Sequence, residues 1–140
     1  MIDNIIFEKI YMDYDFYEIR ITCRNEVVTT FADCYVNNQG IHELSQKIDE
    51  YVSGKTDSFS WSAGDCDEGD LSGVVLNVFP KDKYGHLYIQ VMTSESYTMS
   101  MCNKCCLYIH TELGLLNTFG NRIKVLNNSF VGQTVELIGN

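Results

Sequence analysis

The chain has 140 residues, 45% of them hydrophobic, and a formal net charge of -9 from 19 acidic and 10 basic side chains. That length matches one ordinary domain, in which folding buries roughly two-thirds of the surface that the unfolded chain exposes, and the apolar content excludes a disordered chain. The charge argues against direct binding of nucleic acid or anionic lipid, whose phosphates it repels, and suits a basic protein partner.

No apolar run approaches the roughly 20 residues a membrane helix needs, so no membrane association is expected. The opening Met1-Ile2-Asp3-Asn4 carries no basic segment, and the first lysine is Lys9. The expectation is therefore no secretory leader, a cytoplasmic location, and cysteines held as thiols. The single proline, Pro80, and the absence of any repeat or linker favour one domain spanning residues 1–140.

The first third reads as a three-stranded meander. Residues 5–12 are apolar and β-prone, and Asp13-Tyr14-Asp15 supplies turn residues. Tyr17, Ile19, Ile21 and Cys23 then alternate with Glu18, Arg20, Thr22 and Arg24, the period of a half-buried antiparallel strand. After the turn Arg24-Asn25-Glu26, residues 27–36 are β-branched and aromatic. Asn37-Asn38-Gln39-Gly40 breaks the pattern. Ile41, Leu44, Ile48, Tyr51 and Val52 recur at helical spacing, with Glu43, Gln46, Lys47 and Glu50 opposite and Gly54 as the stop.

Phe59 and Trp61 share one face of a short strand, and residues 63–70 form a small acidic loop. Residues 71–79 make a strand with Val74, Leu76 and Val78 on one face. Residues 86–93 make another, with Leu87, Ile89 and Val91 inward. Ser94 to Asn103 reads as a polar loop, 105–111 as a strand, and 112–126 as a second helix with the stripe Leu115, Leu116, Phe119, Ile123 and Leu126. Gly114 and Gly120 weaken that helix by ~1 kcal/mol each, a loss that close packing on the sheet would offset. Thr134 to Ile138 adds a final strand. The sum predicts an α+β fold: a single twisted, mainly antiparallel sheet of about six to seven strands, both helices on one face. The other face is left partly wet and lined by Arg20, Thr22, Tyr88 and Gln90.

Four groups of residues invite a chemical reading. The loop around Asp65, Asp67, Glu68 and Asp70 offers closely spaced carboxylates. It lacks the glycine position and the bidentate glutamate of a calcium hand, and reads instead as a negative patch for a basic partner. Cys102, Cys105 and Cys106 contain a Cys-x-x-Cys spacing, but a structural zinc needs four ligands and no second pair matches. Cys66, Cys23, His86 or His110 would have to complete it, and the pair sits in a strand rather than at the helix start that activates a redox thiol. Adjacent strand residues also face opposite ways, so incidental cysteines are expected, and no metal or cofactor. His42, His86 and His110 carry an active-site role only if a nucleophile meets one of them in the fold. Tyr11, Tyr14, Tyr17, Tyr35, Tyr84, Tyr88, Tyr97 and Tyr108 are too many to be core alone, and tyrosine is enriched at protein interfaces. No phosphate loop, nucleophile elbow or metalloprotease helix is present.

The second half runs from Trp61 through Asp82-Lys83-Tyr84-Gly85-His86-Leu87-Tyr88-Ile89-Gln90-Val91 to Glu112-Leu113-Gly114-Leu115-Leu116-Asn117-Thr118-Phe119. This succession of an Asp-x-x-Gly-His turn, an alternating strand and a Leu-Leu-x-x-Phe helix resembles small bacterial α+β proteins, some of which are similar to immunity proteins of polymorphic toxin systems. The resemblance spans about half the chain and implies a non-enzymatic inhibitor of one cognate toxin, with no catalytic residues to carry over. The cysteine cluster lies outside the pattern. Three functional readings follow in order: a binding module for a basic protein, a small enzyme with a Cys or His site, and a zinc-stabilised adaptor.

Overall fold

A computed structural model of the chain describes residues 2–64, 72–98 and 101–139. The alternation of the first third makes the expected meander of β1 (Asn4–Met12), β2 (Tyr17–Arg24) and β3 (Thr29–Val36), each pair antiparallel. Its turns form because short acceptor side chains fold back on the backbone. Asp13 Oδ1 accepts from the N–H of Asp15 at 3.1 Å and of Phe16 at 2.9 Å, and Asn25 Oδ1 accepts from Val27 and Val28. The next element is α1 (Asn38–Val52), started by Asn37, whose side chain accepts from the Gly40 N–H at 2.8 Å. It stops at Gly54, whose φ of +83° takes the left-handed conformation that glycine adopts without strain.

The second half supplies β4 (Phe59–Ala63), β5 (Ser72–Pro80), β6 (His86–Thr98) and β7 (Met101–Glu112), then α2 (Leu113–Arg122), a 3-10 turn η1 (Ile123–Asn128) and β8 (Thr134–Ile138). The segment expected as a loop, Ser94 to Asn103, is mostly strand, with Ser94 paired to Lys104, Glu95 to Asn103 and Ser96 to Cys102. Serine and threonine are tolerated in strands when a partner completes the ladder, and β7 is that partner. The second helix is also shorter than its apolar stripe, which passes into η1 after Arg122.

The single sheet expected from the sequence is instead two sheets of four strands each, in the orders β3-β2-β1-β8 and β4-β5-β6-β7. The α+β class and the antiparallel pairing stand. The physical reason for the division is coverage. Eight strands present inward rows such as Ile5, Phe7, Ile19 and Ile21 in the first sheet and Leu76, Val78, Ile89 and Ile109 in the second. Two short helices cannot cover that area, so the sheets cover each other. The wet residues expected on one face accordingly divide: Arg20 and Thr22 lie outside the first sheet, Tyr88 and Gln90 outside the second.

The sheets pack face to face, with β3 running across the second sheet. From one end to the other, β3 and its turn meet β7 through the Asn25 amide on the Tyr108 carbonyl, β6 through the Thr30–Thr93 hydroxyls at 3.0 Å, then β5 and β4. One corner is closed by Asp3, whose carboxylate accepts from the His110 N–H at 3.0 Å, and by Thr111 donating to the Ile138 carbonyl. At the far end of the first sheet, α1, α2 and η1 fill the opening. Both sheets and both helices line a central void of only about 10 Å³, walled by apolar side chains such as Phe7, Leu44, Leu76 and Phe119. A space so small and apolar holds no water.

Two features fix the helical layer. A Cβ at Gly120 would lie 2.5 Å from Ile48 Cγ2, so α2 presses its glycine against α1. The close approach thus lies between helices, not on the sheet, and Gly114 has nothing within 4 Å of its Cβ position. The second feature is Lys9, 2% exposed on the inner face of β1. Its ammonium donates to the carbonyls of Leu126 at 2.8 Å and Ser129 at 2.9 Å, and lies 4.3 Å from the centre of the Tyr17 ring. Tyr17 in turn donates to Asn127 at 2.6 Å, and Asn127 to the Asn38 carbonyl at 3.1 Å. A cation at the end of a helical turn satisfies carbonyls that have no partner within the turn. Burial holds this ammonium below the usual lysine value.

The two helix glycines should respond with opposite signs. Gly120→Ala should lower stability by about 1–3 kcal/mol through overpacking, and Gly114→Ala should raise it by about 0.5–1 kcal/mol, both read as urea unfolding midpoints. Lys9→Met, which keeps the bulk and removes the donor, should cost about 1–3 kcal/mol by leaving the Ser129 carbonyl without its donor and the Leu126 carbonyl with only the Ser129 hydroxyl, with hydrogen exchange accelerating first at residues 129–133.

Candidate functional site

The acidic loop residues Asp65, Asp67, Glu68 and Asp70, together with Cys66, lie outside the described residues. What the fold assembles from sequence-distant residues is a different acidic surface, the outer face of the first sheet. Because inward and outward side chains alternate, register sets its rows. Tyr11, Glu18 and Tyr35 stand opposite one another across three strands. The next row is Thr134, Glu8, Arg20 and Asp33, and the one after is Glu136, Ile6, Thr22 and Phe31. Beyond these rows the β1–β2 hairpin adds the exposed Asp13, Tyr14, Asp15 and Phe16. Strand alternation places the carboxylates of Glu8, Glu18, Asp33 and Glu136 on this face, against the guanidiniums of Arg20 and Arg24.

One of those guanidiniums is already neutralised. Arg20 Nε and Nη2 reach the two Asp33 oxygens at 2.8 and 3.0 Å, a fork that fixes the guanidinium plane. Its carbon lies 5.0 Å from the centre of the Phe31 ring. The Asp33 hydrogen bond, then its charge, raise the guanidinium above its usual value against a smaller opposing desolvation, with Glu8 and Glu18 adding through space. Tyr11, Phe31 and Tyr35 are 50%, 46% and 59% exposed, large apolar area left in solvent on a sheet face. Of the tyrosines singled out in the sequence, Tyr17 is buried and Tyr88 half-buried, while Tyr11, Tyr14, Tyr35, Tyr84 and Tyr108 are exposed.

The outer face of the second sheet is built differently. Ser60 donates to Asn77 at 2.6 Å, Asn77 to Gln90 at 3.0 Å, and Gln90 to the Tyr108 hydroxyl at 3.1 Å, a ladder across all four strands. Beside it Phe79, Tyr88 and His110 stand in one row, with ring centres 5.5 and 4.9 Å apart, the first pair tilted and the second edge to face. At the end of this face His86 Nδ1 lies 2.7 Å from Asp82 and its Nε2 3.9 Å from Glu112, and His110 Nδ1 lies 3.4 Å from Asp3. Partial desolvation pushes the Asp82 carboxyl up, but hydrogen bonds from Tyr84 and from the ring and N–H of His86 outweigh it and leave it lowered. These histidines edge an open depression of about 480 Å³ with Lys81 and Thr111. His42 is exposed on α1.

The cysteines are dispersed by the pleat. Cys105 packs against the core and Cys106 is exposed on the opposite face. Cys106 shares the outer face with His110 but stands four residues away, about 13 Å along the strand, beyond hydrogen-bond reach of the imidazole. Among the described residues, no group of three His, Cys, Asp or Glu side chains is placed to hold a metal ion. No helix among the described residues is long and apolar enough to cross a membrane. Compared with family models, with curated proteins and with solved structures, the chain matches none.

Cys23 is enclosed between the sheets, where burial first and the neighbouring Cys105 second push its thiol up to about 12 from an ordinary 9.0. A raised thiol means that the unfolded chain releases this proton first. The Cys23 contribution to stability is thus complete below about pH 9 and declines as pH rises toward 12. Between about pH 8 and about pH 10 the wild type should lose about 1.4 kcal/mol more than Cys23→Ala, read from urea unfolding at each pH.

Proposed function

We propose that this protein is a non-enzymatic binding module that receives a basic protein on the outer face of its first sheet, in the manner of an immunity-type inhibitor of a basic toxin. The observation that carries the reading is the coincidence of exposed aromatic area with an excess of carboxylates on one continuous sheet face. Exposed tyrosine and phenylalanine supply contact area at low conformational cost. The carboxylates supply a field that draws a cationic surface and orients it. The net charge of -9 extends that field over the molecule. The second sheet's outer face fits such a role less well, since its polar groups are hydrogen-bonded to one another.

Immobilised protein should retain one basic partner from lysate of its own source, and the bound fraction should fall as salt rises. Glu8→Lys with Glu18→Lys should weaken that complex at least tenfold, about 1.4 kcal/mol, while Tyr108→Ala on the second sheet leaves it unchanged. If the partner proves indifferent to salt and to the double reversal, another surface holds it and the reading fails. An inhibitor of this kind should also abolish the partner's toxicity when the two are expressed together.

A further inference from the structure

Resting on that reading, we propose that Tyr11, Glu18 and Tyr35 form a receptor for a single arginine side chain of the basic partner. The three residues stand in direct cross-strand register on β1, β2 and β3. The carboxylate therefore sits between two exposed phenol rings that are two strand spacings apart, roughly 10 Å. On this proposal the partner's planar group enters above Glu18 as into a slot, flanked by the two exposed tyrosines of the row. Glu18 makes no hydrogen bond or ion pair among the described residues, and its own-face neighbour Arg20 is committed to Asp33.

The same sheet shows that this chemistry forms here. One row away, Arg20 lies over the Phe31 ring at 5.0 Å and forks onto Asp33 at 2.8 and 3.0 Å. Ring, guanidinium and carboxylate thus already combine on the same strands, β2 and β3. The row of Tyr11, Glu18 and Tyr35 repeats the ring and the carboxylate, doubles the ring, and leaves the guanidinium to the partner. Arginine suits this geometry better than lysine. Its flat, weakly hydrated head can stack on aromatic faces while donating in its own plane to a carboxylate, whereas an ammonium is a compact, strongly hydrated point charge.

The test uses N-acetyl-arginine amide as the probe, titrated into the full chain and followed by amide chemical shifts. The backbone amides of residues 11, 18 and 35 should move together, with an affinity at least fivefold above that of the lysine counterpart and no response to the neutral citrulline counterpart. Glu18→Gln and Tyr35→Leu should each weaken the response at least fivefold. Tyr108→Ala, on the second sheet, should leave it intact, and an undisturbed spectrum elsewhere shows that each variant is folded. Shifts that map to another surface, or that citrulline reproduces, overturn the receptor. If the probe fails while Glu8→Lys with Glu18→Lys still releases the partner, the slot is wrong and the face remains the interface. If both fail, the receptor falls together with the proposed function.

Discussion

The Thr30 and Thr93 hydroxyls meet at 3.0 Å where β3 passes over β6, and around that contact two four-stranded sheets lie across one another. Each sheet has one apolar face, and neither can hide it alone. They close on one another at the corner held by Asp3 and Thr111, and they leave an opening at the far ends of β1 and β2. The remaining architecture answers that opening. The helices bring Ile41, Leu44, Ile48, Leu116, Phe119 and Ile123 into it, and all join the same core as the sheets. Phe7 marks the junction, 5.4 Å from the Phe119 ring centre and 6.0 Å from that of Trp61.

Filling an opening with helices brings helix ends into the interior, and their carbonyls then need donors. Lys9 meets that need from the sheet. Its main chain also takes part: the N–H donates to the Gln133 carbonyl at 3.0 Å, and the Gly132 N–H donates to the Lys9 carbonyl at 2.8 Å. One residue thereby fixes the end of η1 and the turn that leads into β8. Desolvation of the ammonium opposes this arrangement, and the two carbonyls with the Tyr17 ring offset it. The cation is therefore a positional device: it sets where η1 ends and where β8 must begin.

These relations explain what was legible in the sequence. Alternation in residues 17–24 states which side chains point inward, the spacing from Ile41 to Val52 states the buried face of α1, and Gly54 states where it stops. All of that is local chemistry, and the structure agrees with it. Alternation does not state which sheet a strand joins, because an inward row reads the same whether a helix or a second sheet covers it. The division into two sheets was hidden for that reason, as was the continuation of β6 through Ser94, which depends on β7 as a partner. A lysine in an apolar strand has no local mark of burial, and the carbonyls that Lys9 serves are more than a hundred residues away. The candidate face was half visible. The surplus of tyrosines and the negative charge could be counted, but the rows that place Glu18 between Tyr11 and Tyr35 come from strand register alone.

The two outer faces differ in what a docking partner would have to displace. On the second sheet, Asn77 and Gln90 give their amides to neighbours within the ladder, and His86 and His110 turn toward carboxylates of the same chain. A partner docking there would have to displace hydrogen bonds already formed, and an interface gains little from groups whose bonds are merely exchanged. On the first sheet, Arg20 and Asp33 are paired, but Glu8 and Glu18 act on the surface only through their field. A cationic partner would replace water around those carboxylates without breaking a bond inside the protein, and the exposed rings of Tyr11, Phe31 and Tyr35 would lose contact with water at the same step. On the proposed reading the carboxylates would select the sign of charge that approaches, and the rings would provide apolar area for the surface that stays.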